Sequence, residues 1–200
     1  MALLDWMSET TGPLLEGEGV VLRPPRPSDH IDWATLRAQS RDYLQPWEPR
    51  WAEDDLTRAA FRRRLQLYAR EMENGTAWPF FIFAGEDQTL VGAVTLSNVR
   101  RGVAETGTLG YWIGQPFAGR GHATAGVRAM LAYAFGPLRL HRVEAACLPS
   151  NTASRRVLEK SGFRKEGEAR AYLKINGEWA DHWLFGVVAD DVGRGEEPPA

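Results

Sequence analysis

The chain has 200 residues, of which 44% are hydrophobic, and a formal net charge of −2 at pH 7. This length suits one domain with its own core, and the near-neutral charge argues against nucleic acid as the main ligand, because neutralising phosphates requires clustered Lys and Arg. No segment approaches 18 consecutive apolar residues, so no membrane span is expected.

Periodicity and turn residues predict the order of the elements. Three of the predicted helices follow Ser, Asp or Asn caps, at Ser28–Asp29, Asp54–Asp55 and Asn151, and two of them end at Gly75 and Gly162. Hairpin strands flank Gly- or Asn-containing turns. The predicted strands are 20–24, 80–83, 90–96, 106–114, 142–148, 173–175 and 179–188, and the predicted helices are 28–40, 54–74, 122–135 and 151–162. A helix of crossover length separates strands 106–114 and 142–148, which are therefore expected to be parallel.

Three segments stand apart from this pattern. Residues 1–18 show little periodicity and are interpreted as a leader, residues 19–189 as the domain, and the acidic, Gly- and Pro-rich residues 190–200 as a disordered tail. Residues 43–51 hold too many prolines for a helix and too many aromatic residues for an ordinary loop. We expect this segment to lie over a pocket or a partner.

Cysteine usage and the N-terminal composition indicate the compartment. The one cysteine, Cys147, lies in an apolar run, so no intrachain disulfide can form, and the chain is compatible with the reducing cytosol. A free cysteine is commonly a small buried hydrophobe, which makes a catalytic thiol the less favoured alternative. The first residues lack the basic and apolar regions of a signal peptide. We expect a soluble cytoplasmic protein.

The stretch 114–123 carries the strongest single indication of a ligand. Gly114, Gly119 and Gly121 stand between a predicted strand and a predicted helix. There the backbone can turn tightly and leave amide N–H groups uncovered at a helix N-terminus, where an anion is favoured. The stretch lacks the Gly-Lys-Ser/Thr of a P-loop, and its glycine spacing differs from the dinucleotide fingerprint. It predicts a phosphate site without identifying the phosphate.

A resemblance to a known family is carried, in order, by residues 43–49, 109–114, 119–123, 151–163 and 172–182. Over residues 20–188 the chain resembles the GNAT superfamily of N-acetyltransferases, and within it the Rim-type ribosomal-protein alanine N-acetyltransferases. The resemblance implies a single α/β (α+β) domain. Its sheet would be mixed, mostly antiparallel and twisted, flanked by helices, with a central splay between two parallel strands.

The resemblance also implies acetyl-coenzyme A (acetyl-CoA) as co-substrate. Its pyrophosphate would lie on the amides of residues 119–124, and its pantetheine would lie as an extra strand in the splay, which a β-bulge near Trp112 and Ile113 would open. The family places Gln or Arg three residues before the first glycine, but this chain has Pro116 there and Gln115 one residue earlier. We therefore predict that backbone N–H groups, more than side chains, bind the pyrophosphate. The implied cofactor-binding residues are Trp112, Ile113, Gly119, Arg120, Gly121, His122, Ala123, Thr124 and Asn151.

The family reaction is direct attack of an amine on the thioester, which calls for a mild base and a proton donor to the thiolate. Ser154 matches the family position that serves the thiolate, and Asn151 matches the one that contacts pantetheine. Helix capping is the alternative for both. Glu144 is the first candidate for the base, because strand alternation puts it on the face of Ala146, where some members carry Glu. A structural role for Glu144 stays open, and the other candidates are Glu105, Asp181, His182 and Tyr172.

The expected function is acetyl transfer to a primary amine, with the resemblance favouring the N-terminal alanine of a small-subunit ribosomal protein. The alternatives are the same chemistry on a small amine, such as an amino acid or antibiotic, and a non-catalytic acyl-CoA sensor. The expected partners are acetyl-CoA and a protein N-terminus, without nucleic acid or membrane, in a monomer or homodimer. No metal is expected, because neither HExxH nor CxxC occurs and the histidines are dispersed at His30, His122, His141 and His182.

Overall fold

The computed structural model describes residues 12–193, which form one eight-stranded sheet with helices on both faces. The sheet order is β1-β2-β3-β4-β5-β6-β8-β7, and every neighbouring pair is antiparallel except β5 and β6. The expected mixed sheet with one parallel pair is confirmed. The strands are β1 (Leu15–Gly17), β2 (Val20–Arg23), β3 (Trp78–Ala84), β4 (Thr89–Arg100), β5 (Thr106–Ile113), β6 (Arg142–Cys147), β7 (Arg164–Ile175) and β8 (Glu178–Val188).

The helices occupy three stretches of the chain between the strands and one at its described end. They are α1 (His30–Gln39), α2 (Arg41–Leu44), α3 (Arg58–Glu73), α4 (His122–Phe135), α5 (Thr152–Lys160) and α6 (Ala189–Gly193). Helix α4 has the predicted bounds. Within the described residues, no helix is both long and apolar enough to cross a membrane.

The sheet is open in its middle. Strands β5 and β6 pair only over residues 106–108 and 142–144. Beyond this point β5 continues to Ile113 along β4, and β6 continues to Cys147 along β8. The two halves of the sheet therefore separate from Leu109 and Ala145 onward, and this is the predicted splay.

The predicted bulge near Trp112 and Ile113 is wrong. The register of β4 and β5 is regular from Gly92 opposite Ile113 to Ser97 opposite Thr108, and the register shifts lie elsewhere in β3–β4 and at the end of β4. No bulge in β5 is needed, because each of the two diverging strands keeps a full antiparallel partner on its outer side. The outer partner bonds the backbone N–H and C=O groups on that side of β5 or β6. The groups on the other side of each strand face the opening.

Two apolar layers hold the helices against the sheet, and β3 is buried between them. Phe80 and Ile82 belong to the larger core, which includes much of α4. Phe81 and Phe83 belong to the smaller core with Trp33 of α1. A strand buried on both faces reads as a continuous apolar run, which explains why residues 80–83 show no polar alternation. The opening between β5 and β6 thus has α4 and α5 on one face and the α1–α3 side on the other.

Two local predictions are corrected. Thr57, not Asp54 or Asp55, caps α3, since its Oγ1 accepts from Ala60 N at 3.2 Å, while the two carboxylates pair with arginines of α3. Residues 41–47 form α2 and a 3₁₀ turn although Pro46 lies among them. Pro46 stands in the first turn of that 3₁₀ segment, where a missing N–H costs nothing.

The ends of the chain and β7 also differ from expectation. Residues 15–17 of the predicted leader form β1, and residues 190–193 of the predicted tail lie in α6. The rest of the leader and tail, residues 1–11 and 194–200, lies outside the described residues. Strand β7 begins at Arg164, nine residues before the predicted start, because an exposed edge strand carries no apolar alternation to reveal it.

Candidate active site

The turn from β5 into α4 depends on two glycines in the left-handed region. Gly119 and Gly121 have φ of +75° and +87°, and Gly121 is the N-cap of α4 without a side-chain capping bond. The first amides of a helix have no intrahelical acceptor. A Cβ at either glycine would meet nothing within 4 Å, so open space adjoins the loop. The glycines are therefore required for the backbone conformation, and the amides beside them are open to a ligand.

Positive charge surrounds this helix N-terminus. A cavity of about 390 Å³ opens there, and Arg120, His122, Arg128 and Lys160 contribute to its lining together with Glu18 from the β1–β2 turn. Arg128 also donates to the carbonyl oxygen of Lys160 at 2.7 Å, which ties α4 to the end of α5. Free amides, the helix dipole and nearby cations together favour a multiply charged anion such as a pyrophosphate.

Pro116, the departure from the family pattern, lies in a 3₁₀ turn, Gln115–Phe117, that precedes the loop. The backbone N–H of Gln115 donates to the hydroxyl of the buried Ser40 at 2.9 Å. The neighbouring backbone is thus anchored to the protein interior. A mainly backbone grip on the phosphates stays a prediction, and the conformation of this turn is compatible with it.

Three polar groups meet beside the opening, on the face of α4 and α5. The Tyr111 hydroxyl of β5 lies 2.9 Å from Ser154 Oγ and donates to the Ser154 carbonyl oxygen at 3.1 Å. The thiol of Cys147 at the end of β6 lies near enough to Ser154 for the hydroxyl to lower its pKa. Asn151 Oδ1 accepts from Ser154 N at 3.0 Å and caps α5, so its capping role is observed. Ser154 Oγ takes no part in the cap and is available to a ligand.

Burial keeps this cluster protonated. It raises the pKa of Tyr111 far above the ordinary tyrosine value; the hydrogen bond with Ser154 lowers it and the nearby Cys147 raises it further. Burial likewise raises the pKa of Cys147, against the lowering effect of the nearby Ser154 hydroxyl. Both groups therefore carry their protons at neutral pH. The cluster can donate hydrogen bonds to an anion, and Cys147 lacks the thiolate character of a nucleophile.

Tyr111 is a site residue that sequence reasoning missed. A polar tip within the apolar run of β5 was a usable signal, because a buried tyrosine hydroxyl needs a partner. Its neighbours Trp112 and Ile113, both predicted to contact the cofactor, point to different layers: Ile113 packs against the larger core and Trp112 against the smaller one. What Trp112 and Ile113 share is a backbone whose side facing β6 borders the splay.

Glu144 lies where the pairing of β5 and β6 ends, opposite Thr108. Alternate burial along β6 puts it on the face of Ala146, as expected. Its Oε1 accepts from Arg142 Nε at 3.1 Å, and its Oε2 lies 4.0 Å from Arg100. These contacts engage the carboxylate in an ion-pair network and favour the structural alternative for Glu144.

The structure separates the other four candidates for the base. Glu105 bonds the N–H of Gly102 and the side chain of Arg101 at the start of β5, the end opposite the glycine loop. An eight-residue strand spans about 25 Å, so Glu105 is remote from that loop. Tyr172 and His182, in contrast, meet across β7 and β8, and Asp181 accepts a hydrogen bond from the N–H of Ala171, next to Tyr172. Tyr172 and His182 have ring centroids 5.8 Å apart.

Residues 41–51 lie against the other face of the opening. The Arg37 guanidinium lies 4.0 Å from the Trp51 ring centroid and 4.8 Å from that of Trp112, and it binds both oxygens of Glu48 at 2.8 and 2.7 Å. The main-chain oxygen of Glu48 accepts from Asn176 N, in the β7–β8 turn, at 2.8 Å. The aromatic segment is therefore fastened both to β5 and to the β7–β8 hairpin, beside the splay.

Fold and site define a class of protein. A sheet opened between two parallel strands offers unpaired backbone to an extended ligand, with an anion site at the open end and protonated hydroxyl groups along the way. This arrangement suits a phosphate-bearing thioester laid in as a strand, whose sulfur would meet hydrogen-bond donors when it departs. The class is that of acyl-CoA-dependent transferases. Among the described residues, no cluster of three or more His, Cys, Asp or Glu side chains is arranged to hold a metal ion.

Comparisons with known proteins agree. A family model described as an acetyltransferase (GNAT) domain matches residues 20–164. The chain is 36% identical over 178 residues to a probable N-acetyltransferase, YjcK, of Bacillus subtilis (89% of this chain, 98% of the relative). It is 32% identical over 177 residues to the ribosomal protein uS5-alanine N-acetyltransferase of Escherichia coli (88% and 91%). The structure of Mycobacterium smegmatis RimJ in complex with CoA-disulfide superposes with a TM-score of 0.84 at 35% identity, covering 92% of this chain and 88% of that one.

The chain belongs to the GNAT acetyltransferase family. It is an N-acetyltransferase, and acetyl-CoA is its co-substrate. The residues around the splay fit this co-substrate, since the glycine loop offers amides and cations for phosphates and the open edges of β5 and β6 offer main-chain groups for an amide-containing arm.

Proposed function

We propose that the protein acetylates the α-amine at the N-terminus of a protein, with the N-terminal alanine of a small-subunit ribosomal protein as the favoured acceptor. The similarity to the uS5-alanine N-acetyltransferase over 88% of this chain supports this acceptor. A ribosomal acceptor requires the enzyme in the cytoplasm.

The observation that carries the proposal is an open, apolar surface on the β7–β8 hairpin beside the splay. We call it the acceptor side, because the amine would approach from there. Tyr172 and Leu173 on β7 are 45% and 43% exposed there, although both are large and apolar. Pockets for small molecules bury most of the ligand and are largely enclosed. Exposed apolar side chains beside an opening instead suit a peptide that lies across them. The alternative of a small-amine acceptor predicts a closed pocket at this place.

Each residue of the site has a proposed role. The amides of residues 119–124, with Arg120 and Arg128, hold the pyrophosphate. Asn151 and the inner edges of β5 and β6 orient the pantetheine arm. When the amine nitrogen attacks the thioester carbon and the C–S bond breaks, Ser154 donates a hydrogen bond to the departing thiolate, and Tyr111 supports Ser154. A free α-amine has a pKa of about 8, so a fraction is already neutral at cellular pH and only a mild base is needed.

An acetyl-transfer assay tests this proposal. Peptides beginning with Ala, Ser or Met, and a matched peptide with a blocked N-terminus, are offered with acetyl-CoA, and mass spectrometry locates the acetyl group. We expect acetylation of the α-amine, fastest with Ala, and none of the blocked peptide. Tight acetyl-CoA binding without turnover of any N-terminal peptide contradicts the proposal, and rapid turnover of free amino acids alone favours the small-amine alternative.

The acceptor itself can be identified in cells. Ribosomal proteins from cells with and without this gene are compared by intact-mass spectrometry. We expect one small-subunit protein to lose 42 Da, the mass of one acetyl group, when the gene is absent.

A further inference from the structure

The β7–β8 hairpin carries an irregular pairing beside the splay. Ala169 pairs with His182 and Leu173 pairs with Ala180, so residues 170–172 stand opposite Asp181 alone. Within this bulge Ala171 has φ of +48°, and its N–H donates to Asp181 Oδ1 at 2.8 Å. Bulges commonly re-aim a side chain next to an active site. Here the aromatic ring of the following residue, Tyr172, is placed against His182.

The strand register places His182 at the open end of the splay. On β8, Leu184 and Gly186 pair with Ala146 and Glu144 of β6, and strand alternation puts His182 on the same face as these two β8 residues. The opposite face holds Phe185 and the other β8 residues that pack on the α4 side. Strand β6 ends opposite Trp183, so His182 is the first β8 residue beyond the end of β6. His182 therefore lies just past the opening, on the face of the sheet opposite α4, which we call the acceptor face.

The orientation of the His182 ring leaves one nitrogen as an acceptor. Nδ1 lies 2.9 Å from the Ala180 carbonyl oxygen, which can only accept, so Nδ1 carries the proton and Nε2 of the neutral ring holds a lone pair. Nε2 has no hydrogen-bond partner among the described residues. It is not fully buried, so part of its surface is accessible. The side chain is otherwise buried, at 3% exposure. A lone pair is thus held in a fixed direction with access from outside.

We propose that His182 is the general base that takes the proton of the acceptor amine, that Asp181 is a positioning residue that pins the bulge, and that Tyr172 bounds the amine site. This inference rests on the proposed function and adds the base to it. The amine nitrogen bonds to the thioester carbon, the C–S bond breaks, the amine proton passes to His182 Nε2, and the thiolate is stabilised at Ser154. Glu144 is left to its ion pairs with Arg142 and Arg100.

The charged groups on this face that lie nearest to the splay are already partnered within the protein. Arg142 on β6 binds both Glu144 and Glu166, and Arg37 and Glu48 from the α1–α2 side form a bidentate pair. Asp181, which strand alternation puts on the opposite face of β8, is bonded to Ala171 N. Tyr172 is the further titratable group in contact with the ring. Glu178 is on the same face but lies at the β7–β8 turn, four residues farther along β8. Among the described side chains of this face of β8, His182 is therefore the proton-accepting group nearest to the end of β6.

A pH profile tests the proposal. The rate kcat/KM is measured with an N-terminal peptide from pH 5 to 9 and expressed per neutral amine, which removes the titration of the amine itself. We expect an acidic limb in the wild type that disappears in His182→Gln, with a rate about 10²–10⁴-fold lower at neutral pH and an unchanged acetyl-CoA dissociation constant. His141→Gln, an exposed histidine at the far end of β6, is the matched control and should keep the wild-type profile.

Further measurements separate catalysis from structure. Added imidazole should restore part of the activity of His182→Ala. Nitrogen-15 NMR of the wild type should show the Nδ1–H tautomer at pH 8. Asp181→Asn keeps an oxygen for Ala171 N and should retain most activity, whereas Asp181→Ala should lower kcat about tenfold without moving the midpoint of the acidic limb.

The outcomes for the two proposals are distinct. Retention of the acidic limb and of a rate within threefold of wild type in His182→Gln overturns the assignment of the base, as does an Nε2–H tautomer. A limb that is lost instead in Glu144→Gln assigns the base to Glu144. Failure of the wild type to acetylate any N-terminal peptide sinks the proposed function, whichever variant is examined.

Discussion

At the scale of single residues, the backbone conformation of the phosphate loop, and not a lack of space, restricts which residue can stand at Gly121. Gly121 has φ of +87°, and a Cβ atom at this position would have no neighbour within 4 Å. Valine is β-branched and is a genuine outlier at such a φ, and the left-handed region costs an L-residue roughly 1–2 kcal/mol. A substitution here should therefore distort the loop without any clash.

We expect Gly121→Val to raise the acetyl-CoA dissociation constant about tenfold or more, and Gln115→Ala to change it little, as measured by calorimetry. Gly102→Val is a matched control, since Gly102 has φ of +75° and equally open surroundings, far from the loop. It should lower stability by a similar amount and leave the dissociation constant unchanged. Equal effects of Gly121→Val and Gln115→Ala on binding would contradict the backbone grip.

Ser154 and Asn151 lie in the same turn but differ in what their side chains do. Ser154→Ala removes the hydroxyl beside Tyr111 and keeps the cap, so we expect kcat to fall about 10–100-fold with little change in melting temperature. Asn151→Ala removes the cap and should cost about 0.5–2 kcal/mol of stability. Steady-state kinetics and thermal melting distinguish the two. An unchanged kcat in Ser154→Ala would exclude the thiolate role.

Tyr111 predicts a pH dependence of stability. Its pKa is raised in the folded protein above the ordinary value of 10.0, mainly by burial. The unfolded chain therefore ionises first, and the contribution of Tyr111 is fully present below about pH 10 and is lost as the pH rises above it, by up to about 1.4 kcal/mol per pH unit. Urea unfolding between pH 8 and 11 should show a smaller loss in Tyr111→Phe than in the wild type. Parallel curves would contradict the raised pKa.

At the scale of elements, the aromatic segment is attached to the sheet through a buried ion pair. The side chains of Arg37 and Glu48 are only 8% and 20% exposed, and the Arg37 guanidinium lies against the rings of Trp51 and Trp112. Removing one partner of such a pair leaves the other charge buried without compensation, whereas replacing both is better tolerated.

We expect Glu48→Ala to lower the free energy of unfolding by about 3–5 kcal/mol, and the double variant Arg37→Met, Glu48→Ala to lose less than the sum of the two single changes. The same Glu48→Ala change should raise KM for an N-terminal peptide more than KM for acetyl-CoA, because the segment adjoins the acceptor side. Arg63→Ala, which breaks an exposed pair with Asp54, is the control and should cost less than 1 kcal/mol.

At the scale of the whole molecule, the splay joins two parts of the sheet that share only a three-residue parallel ladder. A co-substrate that fills the splay bonds to both parts and should stabilise the native state. Binding at 100 times the dissociation constant contributes about 2.7 kcal/mol, which corresponds to a rise of about 5–10 °C in Tm for a domain of this size.

Hydrogen exchange can locate that stabilisation. We expect acetyl-CoA to slow amide exchange most in residues 109–113, 119–124 and 145–147, and to leave β1 and β2 nearly unchanged. Desulfo-CoA, which keeps the phosphates and lacks the thiol, should protect the loop to a similar extent. Uniform protection across the sheet would indicate that the ligand does not lie in the splay.

The sequence by itself determined the features that depend on near neighbours. Helix α4 and the glycine loop before it were predicted with their bounds, because helical periodicity and left-handed glycines are local properties. The parallel pairing of β5 and β6 followed from the crossover helix between them. The family resemblance added the splay and the co-substrate, and both are confirmed.

Only the tertiary structure decided which side chains meet. Tyr111 joins Ser154 across 43 positions of the chain, and Asp181 bonds Ala171 through a bulge that no local pattern marks. Glu144 had the right strand and face, yet its arginine partners come from β6 itself and from β4. Contacts of this kind arise when strands and helices pack, and their energies depend on burial. A linear sequence does not contain that burial until the sheet, with its opening, has formed.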